Sequence, residues 1–358
     1  MDIVSRITIL FATLLAFSIT GVAGNFTVEK VAPDVYAVIR TEPASLWFNP
    51  NTVIIVGKKF VTVVDTNIAA SYTREVIAEL RKITSKPVRY VVSTHWHDDH
   101  STGNRAYRDA FPGVEFIAHE STLTDLPNIG AANRKGSVEN GPGLVALFKR
   151  CLKDGKNIAG LPITNEERRG YASDIELVES FLAESPNFEI ILPTRTVRDR
   201  LEINDGKRTI EVLFLGRAHT GADIVVNLPK EKIVACGDLI VSPVPLIGST
   251  SFPLEYADTL ERLLALNAKT IVPGHGPVMR DGGFAREMIK MLRSIKTQAV
   301  ASKARGEDLD EMRKSFDLNE FEKFFAGNSQ HLRFVFENYV FLSATVAAFG
   351  ELSKKAGK

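Results

Sequence analysis

The stretch Thr94-His95-Trp96-His97-Asp98-Asp99-His100 constrains this chain more than any other. It follows Val88 to Val92, a continuous apolar run of the kind that forms a strand buried on both faces. Three of the chain's seven histidines and two aspartates therefore stand at the end of a core strand. Packing gives no reason to crowd titratable groups there, and burying them without partners is costly. A metal ion supplies the missing partner, since imidazole and carboxylate are ordinary ligands. His95 and His97 are two residues apart, so both rings can face one side of an extended loop and serve one ion. Asp99 and His100 point differently and can serve a second. Catalytic zinc usually takes three protein ligands and an open position, so other segments must complete both sets. Three strand ends offer donors: His219 in Gly216-Arg217-Ala218-His219-Thr220-Gly221, Asp238 in Cys236-Gly237-Asp238-Leu239, and His275 in Pro273-Gly274-His275-Gly276-Pro277. Each stands beside glycine, where backbone can approach a site closely.

The pattern around these motifs alternates strand and helix, as in layered α/β architecture. Val53 to Val56 and Phe60 to Val64 read as a hairpin across Gly57-Lys58-Lys59. Residues 71–84 switch to helical spacing, with Val76, Ile77, Leu80 and Ile83 on one stripe and Ser71 as a cap. Helix near 103–111 and strand at 115–118 follow. Residues 120–193 break the rhythm and read as a helical insertion. Strand resumes at 195–203, and Asn204-Asp205-Gly206 marks a hairpin into residues 208–215. Hairpin strands at 223–228 and 232–235, a helix at 255–266, a strand at 270–272 and a helix near 283–304 complete the alternation. The expected organisation is a leader over 1–23, a domain over 24–305 and a helical C-terminal extension over 306–358.

His95-x-His97-x-Asp99-His100, His219, Asp238 and His275, with Asp65 upstream in Val63-Val64-Asp65-Thr66, together resemble the five-motif pattern of the metallo-β-lactamase superfamily across about residues 26–280. The resemblance implies a four-layer αββα sandwich with the metal site at one edge. It implies that His95, His97 and His219 hold a first metal, that Asp99, His100 and His275 hold a second, and that Asp238 bridges them. It gives Asp65 the task of orienting ligands from behind rather than binding metal. The implied activity is hydrolysis of an ester, lactone, amide, β-lactam or related bond by water activated at two divalent ions, zinc foremost. Asp99 additionally orients the nucleophile or passes its proton to the leaving group. Two departures stand out. Cysteine occurs at 236 rather than at the Asp238 position, and Val241 stands where many β-lactamases carry a lysine for the drug's carboxylate. His97 is intact, whereas the related flavodiiron oxidoreductases have glutamate there. Two alternatives remain open: a mononuclear iron oxidoreductase acting on a thiol-derived substrate through His95, His97 and His219, and a non-catalytic metal-binding protein.

Lys+Arg 44 and Asp+Glu 43 leave a net charge of +1, so no global attraction to nucleic acid or an anionic membrane is expected, and the partner is a small-molecule substrate. Ile7 through Ile19 form an uncharged apolar run followed by small residues, Gly21 and Ala23, before Gly24. That pattern is a cleavable export signal, which points to a periplasmic or secreted protein with no stable membrane span after cleavage. The Phe-rich tail is interrupted by Glu337 and Asn338, which favours core or homo-oligomer packing over a membrane span. Cys151 and Cys236 read as buried apolar residues rather than a bridge. His119 and His331 lie outside every motif and read as structural.

Overall fold

The computed structural model describes residues 19–23 and 25–356. Residues 1–18, which hold most of the expected leader, lie outside the described residues. An eight-stranded sheet runs in chain order: β1 (Ile19–Ala23), β2 (Phe26–Ala32), β3 (Val35–Arg40), β4 (Thr52–Val56), β5 (Val61–Val64), β6 (Val88–Val92), β7 (Glu115–His119) and β8 (Arg195–Val197). A five-stranded sheet holds β9 (Arg200–Asn204), β10 (Thr209–Phe214), β11 (Ile224–Leu228), β12 (Ile233–Ala235) and β13 (Thr270–Val272), with β13 and β9 at its edges. Strands β5 to β8 are mutually parallel, as are β12 and β13. The remaining pairs are antiparallel.

Strand periodicity builds the layers, because successive side chains point to opposite faces. From β4, Val53 and Ile55 join Val64, Val92, Ile210, Val226 and Val272 between the sheets. Ile54 and Val56 point the other way, onto Val76, Ile77 and Leu80 of α1 (Ala70–Ile83) and onto Tyr107 of α3 (Asn104–Ala110). The single turn α2 (Asp98–Ser101) lies between those helices in the chain. On the far side, Val225 and Val234 pack against α7 (Pro253–Ala265) and α8 (Gly283–Arg305). The result is the αββα sandwich.

The insertion is helical as expected: α4 (Thr122–Asp125), α5 (Ala131–Asp154) and α6 (Asn165–Glu184). A capping box at Thr164 and Glu167 starts α6, and Phe148, Cys151 and Tyr171 pack α5 onto it. The tail forms α9 (Leu309–Ser315), α10 (Asn319–Ala326), α11 (Gln330–Phe336) and α12 (Ser343–Ala356), with a π-type segment at Glu337–Leu342. Residues 330–354 are apolar and long enough to cross a membrane by length and composition. Nevertheless Val335, Phe336, Val340, Ala344 and Ala348 are buried in the same cluster as α7 and α8. The tail is thus part of the outer helical layer.

Two local expectations are corrected. Residues 195–203 are not one strand, because the chain leaves the first sheet after Val197 and enters the second at Arg200. The short apolar stretch carries no mark of the crossover. Ser71 does not cap α1, whose N-cap is Ala69 without a side-chain bond. Glu184 at the end of α6 instead accepts the free N–H groups of Ala70 and Ser71, at 2.9 and 3.1 Å, supplying from a distant segment what a cap supplies locally.

Candidate metal centre

Every sequence-identified donor follows the C-terminal end of a strand. Asp65 follows β5, and the His95–His100 loop follows β6. His219 follows β10, Asp238 follows β12 and His275 follows β13. Parallel pairing of β5 with β6 and of β12 with β13 aligns those ends. Strands β10 and β12 are both antiparallel to β11 and so also run alike. Strand ends of both sheets thus meet at one edge of the sandwich, where the donors come together.

Two donor groups form there. His95, His97, His219 and Asp238 make one, and Asp99, His100 and His275 make the other. Within each group the ligand atoms lie within 4.8 Å of one another. Asp238 divides its oxygens between them. Its Oδ1 lies 3.2 Å from His100 Nε2 and 3.4 Å from His275 Nε2, while Oδ2 lies 3.5 Å from His219 Nε2. Asp99 Oδ2 reaches His100 Nε2 at 3.3 Å and His275 Nε2 at 3.2 Å. His97 Nδ1 meets His219 Nε2 at 3.0 Å. A Cβ at Gly274 would overlap the Asp238 carboxylate, so glycine there lets the β13 loop close on the bridge.

The outward nitrogens are engaged, which fixes the inward ones. His219 Nδ1 donates to the Leu246 carbonyl at 3.1 Å and His275 Nδ1 to the Asn49 carbonyl at 3.1 Å. His100 Nδ1 lies 2.9 Å from Asp65 Oδ2. His95 Nδ1 lies 3.1 Å from Thr94 Oγ1, which itself donates to Asp65 Oδ2 at 2.8 Å. Asp65 thus braces one histidine of each group, and it also accepts the Thr94 N–H at 2.7 Å. It is buried and held at φ +60, a backbone conformation costly outside glycine. Such supporting carboxylates commonly matter 10–100-fold. Asp65→Ala is accordingly expected to lower kcat/KM by about 10–100-fold and to release metal at lower chelator concentration. A change below about threefold in both would remove this role.

His95 Nε2 is buried without a hydrogen-bond partner, and His100 Nε2 and Asp238 Oδ1, buried 3.2 Å apart, meet without hydrogen-bond geometry. Buried polar atoms left without hydrogen bonds are rare, and three in one cage fit cations as their partners. The protonation states agree. Burial, reinforced by neighbouring imidazoles, holds His95 well below the ordinary histidine value and brings His97 to about 3. Burial also lowers His219. These shifts favour the neutral imidazole, the form that ligates a metal, and in the metal-free cage His97 Nδ1 and His219 Nε2 bond each other. Burial opposes ionisation of Asp99 and Asp238, but the facing histidines outweigh it, holding Asp99 well below the carboxylate range and Asp238 at about 2. Burial likewise opposes charge on His100, yet Asp99, Asp238 and Asp65 outweigh it and raise that ring well above its ordinary value.

Cys236 and Val241 are buried off the cage. Burial pushes the Cys236 thiol up, out of the range of a ready thiolate, and Val241 bridges the His275 backbone. His119 is tilted against Phe214, and His331 Nε2 bonds the Ala44 carbonyl at 2.8 Å, so both are structural as expected. Arg217, two residues before His219, pairs with Glu255 and lies over the Phe252 ring.

Sequence reasoning missed the loop of residues 41–51. It passes over the cage and carries Leu46, Trp47 and Phe48, whose ring centroid lies 4.0 Å from that of His275. Three segments hold it. Asp174 of α6 accepts Ser45 Oγ at 2.8 Å and Trp47 N at 2.9 Å, Tyr339 Oη donates to the Ser45 and Leu46 carbonyls, and His331 takes Ala44. Burial pushes the Asp174 carboxyl up to about 7 against the pull of these donors. The available signal was three large apolar residues in a row between Pro43 and Pro50, where a loop has no use for them.

A profile described as the Metallo-beta-lactamase superfamily matches residues 46–275. The chain is similar to the linear primary-alkylsulfatase of Pseudomonas sp. (strain ATCC 19151), with 28% identity over 240 residues, 64% of this chain and 42% of that protein. It is similar to Metallo-beta-lactamase type 2 of Bacillus sp. (strain 170), with 27% identity over 136 residues, 37% of this chain and 52% of that protein. The chain spans about half or less of the length of these curated relatives. Among solved structures, a metallo-beta-lactamase from Pontibacter korlensis has a TM-score of 0.52 and 19% identity, covering 75% of this chain and 99% of that one. Another, from Erythrobacter litoralis with beta mercaptoethanol in the active site, has a TM-score of 0.50 and 16% identity, covering 76% and 97%. These two likenesses concern the fold.

Proposed function

The chain belongs to the metallo-beta-lactamase superfamily, and from that premise we propose that it is a hydrolase working through two divalent ions, zinc foremost, held by the two donor groups. The observation that carries this reading is Asp238, whose Oδ1 faces His100 and His275 and whose Oδ2 faces His219. A carboxylate split between two sets of imidazoles suits a bridge between two cations. A single iron on His95, His97 and His219 would leave Asp99, His100 and His275 without a purpose.

Bound divalent ions supply Lewis acidity toward a substrate oxygen and bring the pKa of a water toward ~7. The chain's own residues do the rest. Neutral His95, His97 and His219 offer lone pairs, while ionised Asp99 and Asp238 balance the cationic charge. Asp99 lines the open side of the cage and is placed to take the proton of the attacking water and give it to the leaving group. In net terms the acyl, lactam or sulfate bond breaks, water oxygen joins the electrophilic centre, and the leaving group departs protonated. Apolar walls above limit other water.

The relatives' names, one a sulfatase and one a β-lactamase, support hydrolysis as the reaction type and leave ester, lactone, β-lactam and sulfate-ester bonds within reach. Val241 in place of a lysine speaks against a carboxylate-bearing lactam. We read the chain as exported, on the strength of the apolar run Ile7–Ile19, and as acting on a small molecule. Phe324, Leu342 and Val346 are exposed on the tail and are the side chains through which a homo-oligomer would form. Metal quantification tests the central reading. Two zinc per chain, with turnover of an ester or sulfate ester restored by zinc, is the expected result; one iron per chain would replace it with the oxidoreductase.

A further inference from the structure

A cleft of ≈ 210 Å³ opens from the cage, with His97, Asp99 and His275 among its lining residues. Its walls are apolar: Leu46, Trp47 and Phe48 from the loop, Ile68 beside it, Phe181 from the insertion and Leu246 from the segment after β12. Trp47 meets Phe181 edge-on at 5.3 Å between ring centroids, so loop and insertion form one continuous surface. No lysine or arginine is among the described lining residues. The one lining carboxylate outside the cage, Asp98, is paired with Arg134 of α5 at 2.5 Å. The walls therefore offer dispersion and desolvation, with Asn133, Ser137 and Tyr339 as uncharged polar groups among them and no counter-charge for a charged substituent.

We propose that this cleft binds a neutral apolar arm, alkyl or aryl, attached to the bond hydrolysed at the cage, and that Trp47, Phe48 and Leu246 select it. The inference rests on the hydrolase reading and names its substrate class. The cage takes the polar head, and the walls take the arm. Each methylene moved from water onto such walls gains about fourfold, ~0.8 kcal/mol. The wall is built by the segments outside the strand-end motifs: the loop, the insertion and, through the Tyr339 clamp, the tail. Their common position over the cage is accounted for by arm recognition.

The test uses the zinc-loaded full chain with p-nitrophenyl esters from acetyl to octanoyl, n-alkyl sulfates of the same lengths, and arms of equal length ending in carboxylate. The kcat/KM is expected to rise on the order of 10²-fold from a two-carbon to a six-carbon arm. A terminal carboxylate is expected to cost about tenfold or more, since the lining holds no lysine or arginine to offset its desolvation. Trp47→Ala should reduce the chain-length gain to below about tenfold, through lost apolar contact. A second readout is independent of turnover. Trp47 and Trp96 are the chain's two tryptophans, and both line the cleft. Titrating 1-octanol into the metal-free chain should give a saturable change in tryptophan fluorescence that Leu246→Ala weakens. A flat chain-length series, or a preference for the carboxylated arm, overturns the inference while leaving the hydrolase intact. Absence of the fluorescence response overturns it whatever the turnover. A normal response with no hydrolysis of either head group sinks the hydrolase reading and leaves the apolar cleft standing.

Discussion

Stripping metal from the purified chain with a chelator is expected to abolish hydrolysis and to lower Tm by on the order of 5–10 °C, with both restored by zinc. The magnitude follows from linkage: a ligand present at 1,000 times its Kd stabilises the folded state by about 4 kcal/mol. Removing it also leaves His95 Nε2 buried without a hydrogen-bond partner. The pH dependence has a definite sign. His100 is raised above its ordinary value in the metal-free fold, so its stabilising contribution is full below about 6.5 and is lost as pH climbs through the raised value. Asp99 and Asp238 are lowered, so theirs is present above about 3.8 and is lost as pH falls, for Asp238 through about 2. His95, His97 and His219 act the other way: held neutral in the fold, they cost stability as pH falls below about 6.5, where the unfolded chain's histidines take up protons. Metal binding must also displace the proton on His100, which acid makes harder. The Tm gap between loaded and stripped protein should accordingly narrow from pH 8 to pH 6. Calorimetry showing a constant or widening gap on acidification would contradict this electrostatic account.

Asp238→Asn is expected to lower kcat by about 10³-fold or more, equivalent to ~4 kcal/mol of transition-state stabilisation. Asparagine keeps the shape but has no negative charge and offers one oxygen where the aspartate offers two. One of the two contacts, to His100 and His275 on one side or to His219 on the other, is lost with it. Bound metal should fall from two ions per chain toward one or none. His119→Gln is the matched control: a buried histidine outside both donor groups, tilted against Phe214, whose replacement should change kcat by less than about threefold because distant sites act independently. An Asp238→Asn enzyme retaining more than a tenth of its activity would remove the bridge from the mechanism.

Both results concern residues that could be named before any coordinates existed. Histidine and aspartate at strand ends are chemically specific, and local spacing shows them as a cluster at His95–His100. The layers were equally legible at β4 and β5, where burial on both faces leaves an unbroken apolar run, and in α1, where Val76, Ile77 and Leu80 share a stripe. Other features escaped. The turn from β8 to β9 sends adjacent residues into different sheets, and nothing in Arg195–Asn204 marks which sheet receives them. The start of α1 has no cap of its own because Glu184 provides it from 113 and 114 residues away.

Chain chemistry alone fixed the donor set and the alternation of layers, because ligand type and side-chain period are properties of neighbouring residues. Tertiary structure alone decided which histidine nitrogen faces inward, that Asp65 braces both donor groups, and that Leu46, Trp47 and Phe48 roof the cage. The brace joins residues 29 and 35 positions apart, and the roof depends on Asp174 and Tyr339, more than a hundred residues distant along the chain. No local pattern can record a contact whose two halves become neighbours only when the sandwich closes.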